Sequence, residues 1–278
     1  MKIRVGCELV YNVPESAPII SKVALRTSMY QKTLDEARTL EPQTELHTFE
    51  DEFGNNVWRL MAPQGKFSFV YDALAEVSPE PDPVLPELDK HLAQDLPDDV
   101  LVYTLPSRYC QSDLFVGDAL EMFGAVSPGW AQVQAVCDWL HDNITYEAGS
   151  TPATTSKDAF DERRGVCRDF AHLGITFSRA LNIPARYVCG YLPDIAVENP
   201  PDVPMDVHAL FEVYLGGGWR TFYARHNQPR VGRALIAYGR DAVDAAFATT
   251  YGATRLETMR VWADEVNDTP TLGEPPND

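Results

Sequence analysis

The hydrophobic pattern of this chain changes period near residue 112, from strand-like to helical, and that change bounds what it can fold into. Residues 3–11 put Ile3, Val5, Cys7, Leu9 and Tyr11 on one face, the period-two signature of a half-buried strand. The runs ELHTFE and NVWRLMA flank the turn-rich DEFGNN and predict a hairpin, and KFSFVYDALAEV alternates Phe67, Phe69, Tyr71 and Ala73. The first ~80 residues therefore read as a small antiparallel β unit. From Pro79 to Asp99 proline and acid dominate, as in a connector or an irregular crossing segment.

Beyond LPSRYCQSD the spacing turns helical. A short helix is expected from Ser112 or Asp113, and another from Ser127 with Pro128 in its first turn. In the latter, Trp130, Val133, Val136, Cys137 and Leu140 form one stripe, so Cys137 reads as core. TTSKDAF is a further helix start. From Cys167, the residues Phe170, Leu173, Gly174, Phe177 and Leu181 recur at helical spacing until NIP ends the run. ARYVCGYL, VHALFEVYL and WRTFY then read as strands, the last two joined through glycines 216–218. The class is α+β.

Composition narrows the partners. A net charge of −18 disfavours nucleic acid or an anionic membrane surface. The charge is unevenly placed: eight acidic residues fall between Glu76 and Asp99, whereas 12 of the 23 basic residues, all arginine, lie between Arg163 and Arg260. No run approaches the ~18 apolar residues of a membrane span. The amino terminus lacks a basic region followed by an apolar block, so a cytoplasmic protein is expected. Five widely spaced cysteines without a C-x-x-C pair argue against a disulfide framework and a structural zinc site, and no cofactor is implied.

Cys167 stands at the head of its helix, where unpaired N–H groups and the positive dipole end favour thiolate. A cysteine nucleophile also needs a base, and a third group to hold that base. His208 lies within a clear strand, on the face of Leu210, Glu212 and Tyr214, with Val207, Ala209, Phe211 and Val213 on the other. By spacing alone both remain ambiguous: a cysteine can be a small buried hydrophobe, and a strand histidine is more often structural. His172 would lie alongside the helix, while His47, His91 and His141 read as surface residues.

RRGVCRDFAHLGITFSRALNIPARYVCGYL, followed by DVHALFEVYLGGGWRTF, closely resembles the bacterial transglutaminase-like family, often described as transglutaminase-like cysteine proteases. The motif run extends from Gly165 to about Gly252. The resemblance implies a papain-like α+β core in which a helix-head cysteine faces a histidine on an antiparallel sheet. Residue by residue, Cys167 matches the nucleophile and His208 the general base. The family's usual third residue is the aspartate of an FDARHN-like segment; here the segment reads FYARHN, and Tyr223 stands at that position. A phenol is neutral near pH 7 and supplies no negative charge. Three compensations are open: Tyr223 hydrogen-bonds His208, Asp206 leans toward it, or Glu212 approaches instead.

The implied activity is acyl transfer, chiefly hydrolysis of an amide or peptide-like bond of a small-molecule or peptide substrate. The Cys167 N–H would form half of an oxyanion hole, with the segment around Tyr146 as a source for the rest. The alternatives are a catalytically impaired binding module and a site repurposed around Tyr223 as proton donor. Asp169 reads as a helix-start cap. Arg225, His226, Arg230, Arg233 and Arg240 form either a basic wall near the site or partners for surface acids. The expected division is a β-rich unit with its connector over 1–108, a transglutaminase-like core over 109–262 and a tail over 263–278; the sequence does not specify an oligomeric state.

Overall fold

A computed structural model describes residues 1–195 and 205–276 of the chain. In chain order it comprises β1 (Lys2–Val13), β2 (Ala17–Ser21), β3 (Gln31–Glu41), β4 (Leu46–Glu50), β5 (Asn56–Ala62) and β6 (Gly65–Val77). Helices α1 (Val116–Phe123) and α2 (Trp130–Asn143), strand β7 (Thr145–Tyr146), α3 (Ser156–Glu162), β8 (Arg164–Gly165) and α4 (Cys167–Ala180) follow. The chain ends with β9 (Ala185–Tyr191), β10 (His208–Leu215), β11 (Gly218–Phe222), β12 (Ala234–Gly239), β13 (Ala248–Thr250) and β14 (Arg255–Glu265).

Two four-stranded sheets, ordered β14-β1-β6-β3 and β13-β2-β5-β4, build the amino-terminal layers. Their alternating inner faces meet through Trp58, whose ring lies 5.8 Å from Phe69 and 5.7 Å from Tyr71. The expected hairpin around DEFGNN is β4–β5. Strand β3 lacks the alternation that would reveal it, because it is an edge strand with most of its charged side chains in solvent. Such charges discourage edge-to-edge pairing.

The chain returns to these sheets at its end. β13 pairs with β2, and β14 pairs antiparallel with β1 from Ile3 opposite Glu265 to Asn12 opposite Arg255. The division drawn at residue 262 therefore cuts through a strand of the first sheet, and 263–265 continue it. The reason is tertiary: β14 is half-exposed and has no strong pattern of its own, so its register comes from β1. Asp72 fixes the junction. Its buried carboxylate accepts Arg4 Nε and Nη2 at 3.0 and 2.6 Å, Trp262 Nε1 at 3.0 Å and the Gly273 amide at 2.9 Å. Gly6, opposite Asp72, is needed because a Cβ there would come 2.5 Å from the Trp262 ring.

The third sheet, β11-β10-β9-β12, carries α4 on one face. Gly174 lets the helix approach: a Cβ there would be 2.4 Å from the Phe211 ring on β10. Phe177 is ringed by Phe115, Phe123, Phe160 and Trp139 at 5.4 to 6.0 Å, which locks α4 against α1, α2 and α3. At its far end Arg179 donates to the carbonyls of Ala185, Leu105 and Arg240. Gly216 and Gly217, both at positive φ (57° and 78°), make the two-residue turn joining β10 to β11.

Two helix starts differ from expectation. Residues 112–114 form a 3-10 turn before α1, and α2 begins at Trp130 because Gly129 takes φ 100°, which no residue with a Cβ adopts readily. The acidic segment 79–99 is an irregular crossing strap. Leu88 O accepts the Trp130 amide at 2.9 Å, Lys90 donates to Leu181 O at 2.9 Å, and Asp82 pairs with Arg233.

Replacing Asp72 by alanine would leave the buried Trp262 indole N–H without its acceptor and the half-buried Arg4 guanidinium with only the Glu274 carbonyl. Urea unfolding of Asp72→Ala should show a loss of about 1–3 kcal/mol, with a loss below about 0.5 kcal/mol contradicting this role for the carboxylate.

Candidate active site

The cysteine is positioned by the turn before it. Val166 is extended, and the Asp169 carboxylate reaches back to accept its amide at 2.8 Å, starting α4 at Cys167. The same carboxylate accepts Ser150 Oγ and pairs with Arg168 at 3.2 Å. Asp169 is thus a cap, as its place at a helix start suggests. Gly165 must be glycine-sized, since a Cβ would lie 2.6 Å from Asp169 Cβ. The parallel pair β7–β8 carries Tyr146 alongside the head of α4. That residue, named in the sequence only as part of a segment, is also covered by the Arg225 guanidinium, 3.5 Å from its ring centre.

Cys167 and His208 line one cavity of about 290 Å³. Its other walls come from Asp206, Tyr187, Cys189 and an apolar group formed by Ala242, Ala245, Ala246, Phe247 and Met259. The thiol contacts the Val207 carbonyl at 4.0 Å. His208 opens β10 opposite Gly190, and its Nδ1 lies 2.8 Å from the Tyr223 hydroxyl. Of the three arrangements open from the sequence, this is the first. Glu212 is occupied by Arg186 Nε and Nη2 at 2.8 and 2.6 Å, and Asp206 accepts its neighbour's amide from Val207.

Tyr223 is buried, stacked on His226 at 5.4 Å and approached by Arg230 at 5.6 Å from its ring centre. The basic wall is therefore real in part. Arg225, His226 and Arg230 gather at Tyr223, while Arg233 turns to Asp82 and Arg240 to Asp244.

The electrostatics correct the expectation for the thiol. Burial pushes Cys167 up, against the pull of the Ala209 and Arg168 amides and of Arg225. The helix head is present, but desolvation outweighs it. Burial, with Arg230 and Arg225 nearby, lowers His208 to about 4. Desolvation also raises Tyr223 well above the ordinary phenol value. All three shifts favour the neutral forms, thiol, imidazole and phenol, over the charged ones. Among the described residues no group of histidine, cysteine and carboxylate side chains is arranged to hold a metal ion.

Residues 119–224 match the transglutaminase-like superfamily. A crystal structure from Cytophaga hutchinsonii, described as a "putative cysteine protease", shares 36% sequence identity and a TM-score of 0.86, covering 99% of this chain and 94% of that one. An uncharacterised protein of Mycobacterium leprae is 34% identical over 135 residues, 46% of this chain and 48% of that protein. One from Mycobacterium bovis is 28% identical over 192 residues, 63% of this chain and 59% of its own length. The chain thus spans about half the length of the curated relatives it matches. It belongs to the transglutaminase-like superfamily, a family of cysteine-based enzymes. Among the described residues no helix is long and apolar enough to cross a membrane.

His172 plays a structural part. It is fully buried between Tyr109 and Tyr187, and its Nε2 accepts the Ala242 amide at 3.2 Å, holding a wall of the cavity. Burial lowers it to about 3. Unfolded histidine titrates near 6.5, so below that pH the unfolded chain binds a proton that the folded chain refuses. Stability is then fully present above about pH 6.5 and falls as pH drops toward the folded value. In urea titrations His172→Gln should lose about 1.4 kcal/mol per pH unit of that slope between pH 6 and 4.5; an unchanged slope would mean His172 is protonated in the folded state.

Proposed function

We propose that this protein is a cysteine acyl-transfer enzyme that hydrolyses an amide or peptide-like bond through a thioester on Cys167. The observation that carries the reading is the convergence of a helix-head cysteine and a tethered histidine on one cavity. His208 takes the thiol proton as Sγ attacks the acyl carbon, then returns it to the departing amine. Water, deprotonated by the same imidazole, cleaves the thioester. The Cys167 amide donates to the oxyanion, and the Tyr146 hydroxyl, carried beside the helix head by β7, donates to the same oxygen.

Tyr223 sets the imidazole in place of a carboxylate. For His208 to act as base its Nδ1–H must donate to the Tyr223 oxygen, freeing Nε2 for the thiol. A carboxylate can only accept, and so enforces that tautomer. A phenol can also donate, and so enforces it less. The resting site has no ion pair, and the proton moves only once substrate has displaced solvent and brought the acyl carbon to Sγ. The apolar wall of Ala242, Ala245, Ala246, Phe247 and Met259 suits an uncharged side chain beside the scissile bond.

Acylation by p-nitrophenyl acetate, followed by intact mass, tests this. Wild type should gain one acetyl group, and Cys167→Ala none. His208→Ala should acylate about 10²–10⁴-fold more slowly, Tyr223→Phe about tenfold more slowly through loss of one orienting hydrogen bond, and Tyr223→Asp faster than wild type. A second reading, a binding module without catalysis, draws on the raised thiol and the weakly basic imidazole. Acylation that is absent, or equal with and without His208, would establish it and end the first.

A further inference from the structure

The sheet that carries His208 has a second face, turned away from α4, and a second cavity lies on it. Phe211 packs on the helix, whereas its neighbour Glu212 points to the strap segment around Asp82. The space there is about 180 Å³, with Trp219, Tyr30 and Leu235 among its apolar walls and Arg220, Arg230 and Arg233 as its cationic ones. Cys167 and His208 do not line it.

Two of these guanidinium groups, on Arg230 and Arg233, are buried or nearly so and have donors to spare. Arg230 is 4% exposed; its Nη2 donates to Pro193 O at 3.0 Å and pairs with Asp194 at 3.5 Å, yet its Nε and Nη1 have no hydrogen-bond partner. Arg233 gives Nε and Nη2 to Asp82 at 3.0 and 2.5 Å, while its Nη1 has no hydrogen-bond partner and lies 4.0 Å from Glu212. Of the nearby carboxylates, Glu212 is committed to Arg186, Asp82 to Arg233 and Asp194 to the Nη2 of Arg230, which leaves the other Arg230 donors unanswered. A buried donor without an acceptor costs free energy that an incoming oxyanion would recover. Arg186 lies over the Trp219 ring at 4.1 Å, stiffening the aromatic wall.

We infer that this cavity binds a small monocarboxylate with an apolar body, its carboxylate on Arg230 and Arg233 and its apolar part against Trp219 and Leu235. Two observations set the class. Glu212 and Asp82 border the cavity and would repel a dianion such as hydrogen phosphate. The aromatic and aliphatic walls would leave a bare inorganic ion without contacts on those sides. The site goes beyond the acyl-transfer reading and does not depend on it.

Calorimetric titration of the full chain with benzoate, acetate and inorganic phosphate at constant ionic strength tests the inference. Benzoate should bind saturably to one site, at least tenfold more tightly than acetate or phosphate. Arg230→Gln should weaken benzoate about tenfold or more, as expected for loss of a charge-assisted hydrogen bond. Should that variant fail to fold, Trp219→Ala serves: it should weaken benzoate about fivefold or more and leave acetate unchanged, as loss of an apolar wall requires. Cys167→Ala should bind benzoate as wild type does, even if acylation fails altogether. No saturable benzoate binding, phosphate binding tighter than benzoate, or affinity insensitive to the variants would overturn it.

Discussion

The seating of α4 on β10 is the constraint on which the rest of the molecule depends. A helix carrying a side chain at position 174 would be held off the sheet by the Phe211 ring, and the head of the helix would move with it. Because the missing Cβ allows contact, and because four aromatic rings close around Phe177, the helix has one resting place. That place delivers Cys167 to the cavity opened by the first residue of β10. Rigid packing of this kind is what a nucleophile needs, since a displacement of about 1 Å can cost orders of magnitude in rate.

The second determinant is the neutral phenol of Tyr223 beside His208. A carboxylate beside His208 would raise its basicity and compensate Arg225 and Arg230. A phenol holds the ring by one hydrogen bond and leaves those cations to depress it. Burial then works on both partners in the same direction, favouring SH over S⁻ and imidazole over imidazolium. The hydrogen bond orients the ring while its surroundings favour neutrality, so the proposed acyl transfer begins with proton transfer.

Much of this was legible in the sequence, and for identifiable reasons. Ile3 through Tyr11 and Phe67 through Ala73 alternate because one face of each strand is core, so β1 and β6 are visible as they stand. Phe170, Leu173 and Phe177 announce α4 in the same way. What stayed hidden is what depends on distant partners. Strand β14 takes its register from β1, more than 240 residues earlier in the chain, and Asp72 looks like an ordinary strand acid until Arg4, Trp262 and Gly273 converge on it. At the site, His208 and Tyr223 could be named from their segments, but the state of the thiol could not. Its helix-head position argues for thiolate, and only the three-dimensional burial of Sγ shows that the opposing effect wins.

The measurement that bears most directly on this account is ¹⁵N NMR of the histidine side chains across pH, with His208 assigned by its substitution. The account predicts a neutral His208 ring from pH 8 down to about pH 5, with the proton on Nδ1 facing Tyr223 and Nε2 free. A ring already protonated at pH 7, or a neutral ring with its proton on Nε2, would contradict it: the first would mean an ion-paired site, and the second a histidine unable to accept the Cys167 proton.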